Sequence, residues 1–329
     1  MAINKNARLE FEAGQKPQGI TLMTDSGDGK KFTTPLSPWS KKEGSEYEVT
    51  PDGVLTGGAI VPAISGANNL VDIAALSCYL AGVSTPVAAA NDTAITRAVA
   101  DVACINSVTV TSLGAIAVIK GTDSADASFS EIRGGAGGPP FIPVGSIEVG
   151  QVRVASNVAA AIAANEIHTV HGTHTERSTF PGWEENAANG SVIFDDTLPS
   201  IHTGSVRKGV AIDYSIPSYA PIPIAGDYKP SSNSHNVSSE SFYDNKTVGS
   251  TTTTLGQGGF TAKLIDGITD AIVKLANENL WFRFFPNKNK PSHILDQGIL
   301  GIDQDFSATD HPTANCTISA ETEHVKVEQ

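Results

Sequence analysis

Apolar and polar residues alternate along most of this chain, in short runs set off by Gly, Pro, Asn and Asp. A period of two gives an extended strand one apolar face. In the first half the pattern predicts strands at 7–11, 19–23, 54–60, 94–99, 105–111 and 115–120, with extended structure again over 142–154. Leu113-Gly114 is the expected hairpin turn between the fifth and sixth. In the second half it predicts strands at 168–175, 191–194, 208–215, 237–243, 251–264 (interrupted near 256–259), 280–285, 299–305 and 315–320. Two segments read as helices instead. Leu70, Ile73, Leu76, Cys78 and Leu80 fall near one helical stripe over 69–80, with Gly82 as a stop. Over 266–279, Ile268, Ile272 and Leu275 share a face, and Asp266 or Thr269 can cap it.

One convincing helix among about eight strands predicts a mainly β fold, a β-sandwich or partly closed barrel with the helix packed on it through Ile268, Ile272 and Leu275. The expected layout is a polar N-terminal arm (1–46), an additional α+β module (47–150) and a β-sandwich domain (151–329). Asp25-Ser-Gly-Asp-Gly and Lys41-Lys-Glu-Gly-Ser-Glu punctuate the arm, and Gly134-Gly-Ala-Gly-Gly-Pro-Pro closes off the module. Ser/Thr-rich strands carrying Val237, Ser239, Ser241, Thr251, Thr253 and Leu255 are candidates for a sheet continued between subunits.

Composition narrows the function. Only 17% of residues are charged and 6% aromatic, and the net charge is −13. The acidity is diffuse, which argues against general nucleic-acid binding, since phosphate contacts need clustered Lys and Arg. The cysteines Cys78, Cys104 and Cys316 form no CxxC pair and read as small buried hydrophobes. The first residues lack the apolar core of a signal peptide, and no apolar run is long enough to span a membrane.

Candidate chemistry is sparse. His168, His171 and His174, with Glu176, could in principle hold zinc. The intervening Thr and Val residues favour a strand, whose parity puts 168 and 174 on one face and 171 on the other. The expectation is therefore no metal. The Gly134–Gly138 run is followed by Pro139-Pro140 rather than Gly-Lys-Ser/Thr, so it is not a phosphate loop. Asp195-Asp196 and the Asp303/Asp305 pair read as solvated charge. No nucleophile elbow or zinc-protease motif occurs, and the expectation is a non-enzyme without cofactor.

The stretch Asp266-Gly-Ile-Thr-Asp-Ala-Ile-Val, then Asn279-Leu-Trp-Phe-Arg-Phe-Phe-Pro-Asn, then Gln297-Gly-Ile-Leu-Gly-Ile-Asp resembles the major tail (tail tube) proteins of long-tailed bacteriophages. The segments 208–221 and 251–264 are similar in flavour, and the resemblance covers roughly 151–329. It implies a subunit that forms hexameric rings with itself. The rings stack into a tube around a tape-measure protein, meet tail terminator and tip proteins, and let DNA pass without specific binding. It implies a virion location after synthesis in the host cytoplasm. The module at 47–150 departs from the minimal pattern and is expected on the outside of such a tube. The readings set against this one are a head decoration or fibre protein and a carbohydrate-binding β-sandwich module.

Overall fold

The computed structural model describes residues 6–168, 181–241 and 247–328. The chain is mainly β, with 51% of residues in strands and 3% in helix, arranged as several sheets without a closed barrel among the described residues. The largest sheet is antiparallel. Its order is Ala225–Lys229, Gly258–Lys263, Thr313–Ala320, His293–Asp305, Asn279–Phe285, Arg8–Leu22, Val210–Pro221 and Glu48–Pro51, with Val325–Val327 paired to the start of His293–Asp305. The expected pair of short N-terminal strands is one strand, Arg8–Leu22, with register shifts between Glu12 and Gly14 and between Pro17 and Gly19.

Alternation along the central strands feeds two cores. Leu9, Phe11, Leu280, Phe282 and Leu300 are buried on one face with Phe260, Ile272 and Ile318. The sheet curls over this face: Phe260, three strands away from Phe282, meets its ring at a centroid distance of 5.7 Å, and Tyr228 stacks on Phe284 at 4.5 Å. The opposite face carries Val210, Ile212, Tyr214, Trp281 and Leu295. A four-stranded sheet of Thr24–Asp25, Lys31–Thr33, Ser191–Phe194 and Trp183–Asn186 covers it with Phe32, Val192 and Phe194. Trp39 is fully buried here; its carbonyl accepts the Trp281 indole N–H at 2.6 Å.

Residues 53–168 hold a third core of their own, centred on Val71, Ile73, Cys78, Val108, Ile147, Val149 and Val152. Three small sheets enclose it: Gly53–Gly57, Leu76–Leu80 and Val83–Val87; Ile60–Pro62, Leu70–Ile73 and Ala90–Ala94; and Ile116–Lys120, Cys104–Val110, Ile147–Val154 and Ile167–His168. Cys104–Val110 is buried along its whole length. Its face away from this core carries the buried Ser107 hydroxyl, hydrogen-bonded to the buried Glu148, which also pairs with Arg133 beside the Gly-rich segment. The turn Ala81-Gly82 joins two strands of this unit and presses on the large sheet. A Cβ on Gly82 would lie 2.5 Å from that of Ala211 and 2.7 Å from Ile20 Cγ2. The buried Asp52 carboxylate accepts the Gly82 N–H at 3.2 Å.

Both helix expectations are overturned. Residues 69–80 form two strands, because Val71/Ile73 and Leu76/Cys78/Leu80 alternate at period two and are buried at that period. The packing helix over 266–279 is a loop with a single 3-10 turn at Val273–Leu275. Gly267 has φ +78°, and the Asp270 carboxylate accepts the N–H groups of Ile265, Asp266 and Gly267, so local side-chain bonds replace helical ones. The predicted face splits accordingly: Ile272 is buried and Leu275 packs beside it, while Ile268 is 73% exposed.

Candidate functional site: the Ser/Thr ribbon

Strands Ser232–Ser241 and Thr247–Gly256 pair in an unbroken antiparallel register, from Ser232 opposite Gly256 to Ser241 opposite Thr247. Ten residues at about 3.4 Å each make an arm about 30 Å long. It forms its own two-stranded sheet and pairs with no other strand among the described residues. The strand predicted at 237–243 thus starts five residues earlier, and the predicted 251–264 is two strands, ending at Gly256 and resuming at Gly258.

The six residues expected to continue a sheet come together here. Val237 lies opposite Thr251, Ser239 opposite Gly249, Ser241 opposite Thr247, Thr253 opposite His235 and Leu255 opposite Asn233. Directly opposed residues share a face and a strand's parity alternates, so all six occupy one face of the ladder. Residues Asn233, Ser234, His235 and Asn236 are exposed, as are Thr251, Thr252, Thr253 and Thr254. Consecutive exposure over four residues means that both faces meet solvent. Cross-strand contacts within the ribbon are polar: His235 Nδ1 lies 3.0 Å from Thr253 Oγ1, and the Ser234 hydroxyl donates to the Thr254 carbonyl at 3.2 Å.

An isolated two-stranded ribbon is marginally stable in water, and soluble proteins usually blunt free edges with Lys, Pro or a bulge. Within 232–241 and 247–256 there is no Lys or Pro, and the register has no bulge. The described strands of the ribbon therefore carry none of these guards along their edges.

Compared with protein-family profiles, curated proteins and solved structures, the chain matches none.

At its root the ribbon is tied to the large sheet. Asp296, fully buried on strand His293–Asp305, accepts the Ser231 backbone N–H at 2.9 Å and the Ser231 hydroxyl at 2.6 Å. The Tyr228 hydroxyl donates to it at 3.3 Å. Burial, then the neighbouring Asp296 charge, pushes the Tyr228 phenol well above its ordinary range, so it stays a donor. On the other strand, Gln257 Oε1 accepts the Ala320 N–H at 2.8 Å.

The other candidates do not assemble into a site. His168 lies on the short strand Ile167–His168, where burial and then Arg153 lower its pKa. His171, His174 and Glu176 lie outside the described residues. No group of three or more His, Cys, Asp or Glu side chains is placed to hold a metal among the described residues. The Gly-rich run folds on itself, Gly134 N–H donating to the Pro139 carbonyl at 2.7 Å. Asp195, Asp196, Asp303 and Asp305 are exposed. The three cysteines are free and buried, and desolvation pushes Cys78 and Cys104 to about 11 and Cys316 to about 12. No described helix is long and apolar enough to cross a membrane.

Proposed function

We propose that this chain is a structural, self-associating subunit of a bacteriophage particle, the tail tube protein that its sequence resembles. The observation that carries the reading is the ribbon, exposed on both faces over 233–236 and 251–254, with no Lys, Pro or bulge in its two strands. In a ring, a neighbouring copy pairs with an edge of the ribbon and satisfies its backbone groups, so the sheet continues from subunit to subunit. Six copies close a ring and rings stack. The tape-measure, terminator and tip proteins are the further partners, and DNA passes along an acidic wall that gains nothing from counterion release. The unit at 53–168, with its own core, is carried outside the wall, and the Ala81-Gly82 turn is its footing on the large sheet.

The test is electron microscopy and light scattering of the purified full chain. Rings or tubes, unchanged by a chelator, are expected. A monomer at high concentration refutes the reading. Binding to capsids, or trimers alone, moves the protein to the decoration or fibre class.

A further inference from the structure

A lever about 30 Å long magnifies any play at its base: a tilt of about 10° at the root moves the tip by about 5 Å, one full strand spacing. A ribbon that must meet a second copy in register therefore needs its exit angle fixed. The root shows how. Asp296 is fully buried, and the groups it accepts from are neutral: both donors of Ser231, the Tyr228 hydroxyl and the Gln297 N–H. Ser231, fully buried, is the residue immediately before the ribbon. Its carbonyl is met by His324 through Nδ1, and its hydroxyl also lies 3.3 Å from the Thr322 carbonyl. Asn233, one residue into the ribbon, donates to Glu323 at 3.1 Å. On the returning side, a Cβ at Gly258 would lie 3.0 Å from the Asp296 carboxylate and 3.1 Å from the Ser231 nitrogen. Both strands of the ribbon thus leave the sheet against one buried carboxylate.

We propose that Asp296, acting through Ser231, is the positioning residue of the ribbon. It sets the angle at which Ser232–Ser241 and Thr247–Gly256 leave the large sheet, and with it the register in which a second copy of this chain is engaged. The engagement of a second copy rests on the function proposed above; the control of the angle does not. No cation pairs with this carboxylate among the described residues, and hydrogen bonds to Ser231's backbone group and side chain offset its desolvation only in one geometry.

The experiment places spin labels on the full chain at Thr252→Cys in the ribbon and Asn315→Cys on the large sheet, both exposed positions. The native thiols stay unlabelled because burial holds them protonated. Pulsed dipolar spectroscopy reads the distance distribution in wild type, Ser231→Ala and Asp296→Asn, with near-ultraviolet circular dichroism reporting on the buried Trp39 and Trp281. In both variants the distribution is expected to broaden or shift by about 2–3 Å, the displacement that a tilt of about 10° gives at Thr252, four residues from the root. The tryptophan signal is expected to persist in Ser231→Ala, the milder change. Assembly is expected to fall roughly tenfold, the factor that a lost hydrogen bond to a carboxylate represents. Wild-type distance distributions in a folded Ser231→Ala protein overturn the proposal, as does broadening with unimpaired assembly. A wild-type chain that never assembles removes the function proposed above, while the distance measurement still decides whether Asp296 sets the angle.

Discussion

Replacing Gly82 with alanine tests how firmly the 53–168 unit stands on the large sheet. Gly82 has φ +78°, where an L-residue costs about 1–2 kcal/mol. Its Cβ would meet Ala211 Cβ at 2.5 Å, Ile20 Cγ2 at 2.7 Å and Thr50 Oγ1 at 3.0 Å. All three residues lie on paired strands of the large sheet, and the Ala211 Cβ has no rotamer to retreat to, so overpacking adds about 1–3 kcal/mol. Lifting the turn to relieve the clash lengthens the Gly82 N–H bond to Asp52. The expected loss is therefore about 2–5 kcal/mol. Gly44→Ala is the control. Gly44 has φ +76° and nothing within 4 Å of its Cβ, so it carries the backbone cost alone, and the unfolded-chain entropy change is common to both. Urea unfolding gives the two losses, and hydrogen exchange at Leu76–Leu80 locates the first. If Gly82→Ala loses no more stability than Gly44→Ala, the turn does not bear on the sheet and the footing is wrong.

Two further substitutions follow from burial. Ile272→Asp puts a charge into the core beside Phe260 and Phe282 and should cost several kcal/mol, whereas Ile268→Asp, four residues earlier but 73% exposed, should stay within about 0.5 kcal/mol in the same denaturation assay. Glu12 is fully buried, and desolvation raises its pKa against the opposing hydrogen bonds from Ser40, Gln15 and the Trp281 N–H and the charge of Lys42. A raised folded pKa favours the folded state below the ordinary carboxylate range, and that contribution is lost as pH rises through the folded value. The melting-temperature gap between wild type and Glu12→Gln should shift in the variant's favour between pH 4 and pH 7; a gap independent of pH refutes the assignment.

Strand content was readable because local alternation decides it: 105–111, 115–120, 191–194 and 280–285 fall within a residue of their observed bounds. The two helices failed where apolar spacing was ambiguous. Leu70, Ile73 and Leu76 are spaced by three, but Val71, Cys78 and Leu80 complete a period-two pattern, and Ala74-Ala75 break the run into strands of two different sheets. At Asp266–Asp270 the carboxylates hydrogen-bond to nearby backbone, a competition that caps and turns share at the level of sequence. The ribbon's residues were legible as strand, and their common face followed from parity. That both faces meet solvent was not, because this depends on which strands lie elsewhere. Nor could Asp296 be singled out. Its partner Ser231 is 65 residues away, and an isolated Asp within an apolar strand carries no local sign of burial.

The placement of Arg8–Leu22 in the middle of the large sheet fixes an order of events during synthesis. This strand leaves the ribosome well before its partners: Thr21 pairs with Ile212 and Leu9 with Phe284, so its neighbours arrive roughly 190 and 275 residues later. At about 5–20 residues per second the N-terminal strand waits on the order of ten seconds to a minute with both edges open. The 53–168 unit closes its own core during that wait. The nascent chain therefore carries a finished fold next to a strand that is still unpaired, and Lys16, Pro17 and the two register irregularities are what guard that strand against pairing with another nascent copy on a crowded polysome. Slower translation between residues 168 and 285 lengthens the interval over which those guards must hold.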